Sequence, residues 1–268
     1  MRKYKVNEYF FDTLNEKSSY WLGFLYADGY VRLKDGKSGE LKLKLKNTDK
    51  NHIQKFLLDI KSEAPIKCGI DNKSKFCSVS VNSTYMVKKL FTLGCVEKKT
   101  QKIRLPDIPT NFMGSFIRGY FDGDGSISKN KKRPNSFTVS MCSNKNFNED
   151  VVKYLGYGKI YEDTNFSVIK INKIEDIKKF RDFIYYEHQV LLGRKKEMFD
   201  QINDNFKRDY TKTKNRKKYK LTNPYDLTII IDNLKLFCDE NNLKYSTMSN
   251  LSRGIGRTNK GWKCEILK

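Results

Sequence analysis

The sequence predicts an α+β fold, built as two pseudo-symmetric αββαββα halves followed by a small C-terminal helix-turn-helix domain. Three observations carry this. First, Trp21-Leu22-Gly23-Phe24-Leu25-Tyr26-Ala27-Asp28-Gly29 is echoed 96 residues later by Ile117-Arg118-Gly119-Tyr120-Phe121-Asp122-Gly123-Asp124-Gly125. Second, the same succession of periodic segments follows each copy. Third, the character changes near Asn203, where a basic run poor in apolar residues precedes a compact tail. The chain divides into halves at 1–106 and 107–203, a basic linker at 204–222 and a terminal module at 223–268.

Each repeated stretch reads as a short apolar helix ended by Asp-Gly. In the first half, Leu41-Lys42-Leu43-Lys44-Leu45-Lys46 alternates with period two, so the leucines face a core and Lys42, Lys44 and Lys46 face out. Phe76 to Asn82 repeats the pattern, with Val79 and Val81 inward and Ser78, Ser80 and Asn82 outward. Helical stretches lie around His52–Lys61 and Thr84–Leu93. In the second half, Phe137, Val139 and Met141 alternate with Ser136, Thr138, Ser140 and Cys142. Strands near Gly158–Glu162 and Phe166–Asn172 come next, the latter presenting Lys170 and Asn172, and a helix runs through Ile174–Tyr186. Outward faces lined by Lys, Ser, Thr and Asn suit a DNA groove, where lysine reaches phosphates or guanine and small hydroxyls adapt to several bases.

Composition agrees. The 268 residues carry 53 Lys+Arg against 31 Asp+Glu, a formal net charge of +22, which points to a polyanionic partner. No segment approaches the ~20 apolar residues of a membrane span. No apolar run follows Met1-Arg2-Lys3-Tyr4-Lys5, so a secretory signal is not expected and a cytoplasmic location, in a phage, bacterium or organelle, is. Six scattered cysteines without a C-x-x-C pair argue against zinc and against a disulfide framework; reduced thiols are expected. With only His52 and His188, a histidine-based metal nuclease lacks ligands and a general base, and each reads as an ordinary helix residue.

Gly23 and Ala27, then Gly119 and Gly123, recur at a spacing of four, which puts small residues on one helical stripe and lets two helices approach closely. Their terminal acids, Asp28 and Asp124, would then repel unless a cation neutralised them. A hard divalent ion with oxygen ligands, Mg²⁺ by preference, meets that need and acts on phosphodiesters. Asp-Gly alone also makes turns, but the repetition with matched glycines and strands argues against that reading. A calcium loop fails as well. With Gly125 as its invariant glycine, Tyr120 and Lys131 fall where acids belong.

The two motifs resemble the double signature of the LAGLIDADG homing endonucleases in their monomeric, two-repeat form, over roughly residues 15–200. The resemblance implies motif helices at the interface of the halves and curved sheets that saddle double-stranded DNA. It implies Asp28 and Asp124 as metal-binding catalytic acids, with the carbonyls of Ala27 and Gly123 as further ligands. Mg²⁺ is the implied ion and Mn²⁺ the expected substitute, and the product is a staggered cut with short 3′ overhangs. The family's basic residues near each centre correspond to Lys99 and Lys195, as electrostatic stabilisers or water-orienting groups. Asp49, Asn144 and Lys145 are weaker candidates for positioning water. Tyr26 stands where the second motif has Asp122, so the halves are unequal and an asymmetric target is expected.

In the tail, Leu234–Leu243 reads as a helix closed by Asn241-Asn242, and a second helix near Ser246–Arg253 starts at a capping Ser or Thr. The pair resembles the helix-turn-helix modules appended to phage and intron-encoded nucleases. It offers Ser246, Thr247, Ser249, Asn250 and Arg253 to a major groove. The expected function is site-specific double-strand DNA cleavage by a monomer. The alternatives are an RNA maturase that binds its own intron and a catalytically silent DNA-binding regulator. No intein splice-junction signature is evident, so an inserted domain is less expected than a free-standing or intron-encoded protein.

Overall fold

The computed structural model describes residues 4–34, 38–130, 136–186, 190–202 and 217–267. His188, Lys131 and the basic run from Lys212 to Arg216 lie outside the described residues. The chain forms two compact units, 1–206 and 207–268.

The first unit opens with α1 (Glu16–Asp28). Asn15 starts it by accepting from the amides of Lys17 and Ser18, while Ser18 Oγ accepts from Asn15 N, a reciprocal cap. Residues 18–26 are all buried, so this is a central helix that is covered all round. Then come β1 (Gly29–Lys34), β2 (Ser38–Lys46), α2 (Lys50–Asp59), β3 (Lys67–Asp71), β4 (Ser74–Asn82) and α3 (Thr84–Thr92). The second half repeats the order with α4 (Thr110–Asp124), β5 (Gly125–Lys129), β6 (Phe137–Ser143), α5 (Lys145–Leu155), β7 (Lys159–Glu162), β8 (Ser167–Ile171) and α6 (Ile174–Tyr185), followed by α7 (Gly193–Asp200). The two antiparallel sheets have matching strand orders, β1-β2-β4-β3 and β5-β6-β8-β7. One continuous core runs through both halves, and α1 packs on α4 at its centre.

Register confirms which side chains share a face. Lys42 lies opposite Ser80 and Lys44 opposite Ser78, while Leu41, Leu43, Val79 and Val81 are buried beneath. In the second sheet Ser140 lies opposite both Ser126 and Lys170. The β3–β4 hairpin turns through Asn72 and Lys73, both at positive φ, as a two-residue hairpin loop requires.

Two expectations need correction. Cys68 and Cys77 face each other across β3 and β4 and are joined as a disulfide, so the thiols are not all reduced. The pairing comes from strand register and leaves no close spacing in the sequence. In the second unit, β9 (Lys218–Thr222) occupies part of the expected linker. It is the middle strand of a three-stranded sheet with β10 (Thr228–Ile231) and β11 (Lys263–Leu267), which was not foreseen. Two short helices, α8 (Leu234–Glu240) and α9 (Tyr245–Leu251), pack with this sheet around Leu221, Phe237, Met248 and Cys264. Asn233 caps α8, but α9 starts one residue before Ser246 and has no side-chain cap. Among the described residues no helix is long and apolar enough to cross a membrane.

Candidate metal centre and nucleic-acid face

The glycine stripe does what its spacing predicts. A Cβ on Gly23 would fall on the Phe116 carbonyl oxygen, and one on Gly119 on that of Tyr20, contacts related by the 96-residue repeat. A Cβ on Gly123 would meet the Ala27 methyl and come within 3.4 Å of Asp28 Oδ2. The helices therefore end side by side, with Asp28 and Asp124 at their tips. Both side chains reach solvent but are crowded by protein on their other sides. That crowding pushes Asp28 up to about 6; the neighbouring Asp124 adds to the shift, and Lys99 and Lys195 oppose it. Asp124 is raised for the same first reason, again against the two lysines. Among the described residues neither carboxylate accepts a hydrogen bond, and no three His, Cys, Asp or Glu side chains converge. Two unpartnered carboxylates beside main-chain oxygens fit a hard cation that takes its remaining ligands from water.

Lys99 and Lys195 also stand 96 residues apart, and their acceptors repeat with them. Lys99 Nζ donates to Leu25 O at 2.6 Å and Gly29 O at 2.5 Å. Lys195 Nζ donates to Phe121 O at 2.6 Å and Gly125 O at 2.6 Å, the equivalent atoms, and also to Asp122 O at 2.7 Å. Each ammonium thus closes the last turn of a motif helix, where carbonyls lack partners and the helix dipole is negative. Burial pushes Lys195 down to about 8 and lowers Lys99. Lys195 spends its three protons on carbonyls, whereas Lys99 has two acceptors among the described residues. Gly123 O lies 3.4 Å from Lys195 Nζ, so this expected ligand shares its surroundings with an ammonium.

The weaker candidates are engaged elsewhere. Asp49 pairs with Arg194 at 3.1 Å, across the two halves. Asn144 is buried, caps α5 through Phe147 N and donates to Ile103 O. Lys145 pairs with Glu162.

Sequence reasoning passed over a buried polar layer between the halves. Arg118 is 1% exposed, donates to Val190 O at 2.9 Å and Ile184 O at 2.6 Å, and pairs with Glu16. A charged residue inside an apolar motif helix was the available signal. Tyr20 Oη lies 2.8 Å from both His52 Nε2 and Asp122 Oδ2. Burial, aided by Lys55, holds His52 down to about 3, so it stays neutral in the folded chain. An unfolded histidine takes a proton near pH 6.5, so this burial withdraws stability as pH falls below that value. The loss is about 2 kcal/mol by pH 5. Asp122, pushed up to about 6 chiefly by burial, acts in the opposite sense. A variant comparison isolates His52: between pH 7 and 5, His52→Gln should lose less stability in denaturant titrations than the parent chain. Equal losses would show that His52 does not titrate between the two states.

On the sheets, Lys42, Lys44, Lys46, Ser80 and Asn82 are exposed, and Ser136, Thr138, Ser140 and Lys170 are half-buried. Asn172 is exposed and accepts from Thr138 at 2.8 Å. Ser78 is 8% exposed and lines a shallow groove of about 410 Å³ with Lys42, Lys67, Ser80 and Asn82. Two acids share this face: Glu40 accepts from Ser80, and Asp71 pairs with Lys44 at 2.6 Å. In the second unit Asn250 and Arg253 are exposed and bonded to each other, and Ser249 is half-buried.

Comparison with known proteins agrees with this geometry. Residues 111–185 match the family described as LAGLIDADG-like domain. The LAGLIDADG meganuclease I-AabMI, solved bound to uncleaved DNA, superposes with a TM-score of 0.50 at 14% identity, covering 70% of this chain and 89% of that one. I-SmaMI, bound to an uncleaved DNA target in the presence of calcium ions, gives the same score and identity over 70% and 90%. Among curated proteins, the replication factor C small subunit of Methanocaldococcus jannaschii is 26% identical over 206 residues, 71% of this chain and 10% of that protein. Its counterpart from Thermococcus kodakarensis is 26% identical over 196 residues, 69% of this chain and 21% of that protein. The chain thus spans only a small part of the curated relatives it matches. The family match is confined to residues 111–185, and the likeness to the solved structures is one of fold: the chain shares the fold of the LAGLIDADG meganucleases.

Proposed function

We propose that the chain is a site-specific double-strand DNA endonuclease. The observation that carries this is the pair of carboxylates, unpartnered among the described residues, at the tips of two contacting helices, each backed by a lysine in an equivalent place. Asp28 and Asp124, with the carbonyls of Ala27 and Gly123, would hold Mg²⁺, or Mn²⁺ in its place. Bound there, the ion supplies charge stabilisation at phosphate oxygens and a more acidic water. The chain's own residues do the rest. Lys99 and Lys195 hold the helix ends so that the acids keep their spacing, and they place positive charge beside the phosphates. Lys42, Lys44, Lys46 and Lys170 reach the backbone or guanine, and Ser78, Ser80, Asn82, Ser136, Thr138, Ser140 and Asn172 offer adaptable contacts. Glu40 and Asp71 suit cytosine amino groups rather than phosphates. Ser249, Asn250 and Arg253 of the terminal module extend the recognised site.

Lys99→Ala and Lys195→Ala should each lower the cleavage rate by about 100-fold with little change in DNA affinity. Lys195→Ala should cost more thermal stability, since three carbonyls lose their donor. Equal affinity and equal rate in both variants would remove the lysines from the mechanism.

The test of the function is incubation of the purified protein with Mg²⁺ and genomic DNA from related strains that lack its gene, with new ends mapped by sequencing. A single recurrent staggered break with 3′ overhangs, absent with Ca²⁺, is the expected result. No break in any such genome, together with tight binding to intron RNA, would replace this reading with that of a maturase. Specific duplex binding without breakage would leave a silent regulator.

A further inference from the structure

The repeat makes the two halves comparable residue by residue, and the comparison isolates one buried acid. We propose that Asp122 is a positioning residue that seats Lys195 within the second half, is itself held by Tyr20 of the first half, and makes the two centres unequal; this rests on the endonuclease reading above. Asp122 is 1% exposed. Its Oδ2 accepts from Leu192 N at 2.8 Å and from Tyr20 Oη at 2.8 Å. Tyrosine has one proton to give, so the Tyr20 oxygen accepts in turn from His52 Nε2–H, a tautomer assigned from this network. Leu192 caps α7, and its carbonyl accepts from Lys195 N at 3.0 Å. Fixing Leu192 therefore fixes the turn that carries Lys195. A second tie, Arg194 to Asp49, holds the same turn to the first half. A cavity of about 340 Å³ beside this junction, lined in part by His52, Leu192 and Arg194, gives the turn room to shift if the ties are cut.

At the equivalent places, with the two halves exchanged, none of these ties exists. Tyr26 replaces Asp122 and donates to Leu93 O within its own half. Phe116 replaces Tyr20 and has no hydroxyl, and the ring that α5 packs on its motif helix is Phe147, which has no polar atom to offer, where α2 places His52. Lys98 stands where Arg194 does, and the counterpart of Asp49 at the start of α5 is Asn144, which carries no charge and bonds to Phe147 N and Ile103 O instead. Lys99 is instead carried by a single 3₁₀ turn that follows Lys98 in the left-handed region, φ 50°. Equivalent lysines are thus held by different means. Each centre serves one strand, so loss of the Asp122 tie should affect one strand only.

The experiment uses the full-length protein, Mg²⁺ and a duplex carrying the mapped break site, with each strand labelled separately. Lys99→Ala and Lys195→Ala assign a strand to each lysine. Asp122→Ala should then slow the strand that Lys195→Ala slows, by about 10- to 100-fold, the scale of a small misplacement of a catalytic group. The other strand should stay within about twofold, so nicked DNA accumulates. Asp122→Asn keeps an acceptor for Leu192 N and Tyr20 Oη and should restore the parental strand ratio. Tyr20→Phe, which leaves the Leu192 bond in place and covers the risk that the alanine variant misfolds, should give a smaller effect on the same strand. Amide exchange across Leu192–Lys196, measured without DNA, should quicken in Asp122→Ala while Lys98–Lys102 is unchanged. Equal slowing of both strands, by Asp122→Ala or by Lys195→Ala itself, overturns the proposal, as does faster exchange with an unchanged strand ratio. A parental protein that cuts neither strand overturns the endonuclease reading instead, and is recognised because the failure precedes any substitution.

Discussion

Asp28→Asn and Asp124→Asn should each abolish double-strand cleavage, by about 1,000-fold or more, while duplex affinity stays within about threefold. The amide keeps the shape of the carboxylate and removes the charge that holds a cation. Binding should survive because the basic faces of the two sheets, not the helix tips, supply the phosphate contacts. Stability supplies the discriminating readout. Crowding and Asp124 raise Asp28 to about 6, so at pH 7 its ionised carboxylate conflicts with its place in the folded chain, a cost that the unfolded chain does not bear. Asparagine relieves that conflict, and neither acid has a hydrogen-bond partner among the described residues to lose. Both variants should therefore melt at or slightly above the parental temperature, the pattern of a site that gives up stability for activity. A drop in melting temperature, with loss of DNA binding in both variants, would make these acids structural and defeat the metal reading.

The parts of this centre that were legible in the sequence are those that repeat or alternate. Asp28 and Asp124 declared themselves by recurring with their glycines, and Lys42, Lys44 and Lys46 by period two against buried leucines. Lys99 and Lys195 were placed by resemblance, and the carbonyls they bind became visible only once the chain was folded. What stayed hidden are pairings between residues far apart in the chain. Tyr20 and Asp122 are separated by 102 positions, and Leu192 and Asp122 by 70. No local pattern encodes such a bond; each partner alone looks like an ordinary member of a helix or a loop. The Cys68–Cys77 disulfide was missed for a related reason, since it follows from the register of a hairpin. Strand β9 was obscured by composition: in Lys218-Tyr219-Lys220-Leu221-Thr222 only Leu221 is fully buried, and the lysines made the stretch read as a tether.

Gly119→Ala and Gly23→Ala should cost the fold more than any other single methyl group. The added carbon of the first would overlap the Tyr20 carbonyl oxygen and lie 2.8 Å from Phe24 N; that of the second would overlap the Phe116 carbonyl oxygen and lie 2.9 Å from Tyr120 N. All four are main-chain atoms inside packed helices, so no rotamer change can make room and the helices themselves must part. Overpacking of this kind costs about 3 kcal/mol or more. At about 2–4 °C per kcal/mol in a unit of this size, the melting temperature should fall by about 10 °C, or the protein should become insoluble. Gly193→Ala is the control, because its nearest atom would be Glu197 Oε1 at 3.8 Å. Gly123→Ala separates geometry from stability. Its new carbon meets the Ala27 methyl and approaches Asp28 Oδ2, at the helix tips rather than mid-interface. It should therefore disturb the acids and cut activity while melting closer to the parent than Gly119→Ala. If Gly119→Ala melted like the parent, the helices would have slack at their crossing. The spacing of Asp28 and Asp124 would then have to be set by Lys99, Lys195 and the surrounding sheets instead of by the glycine stripe.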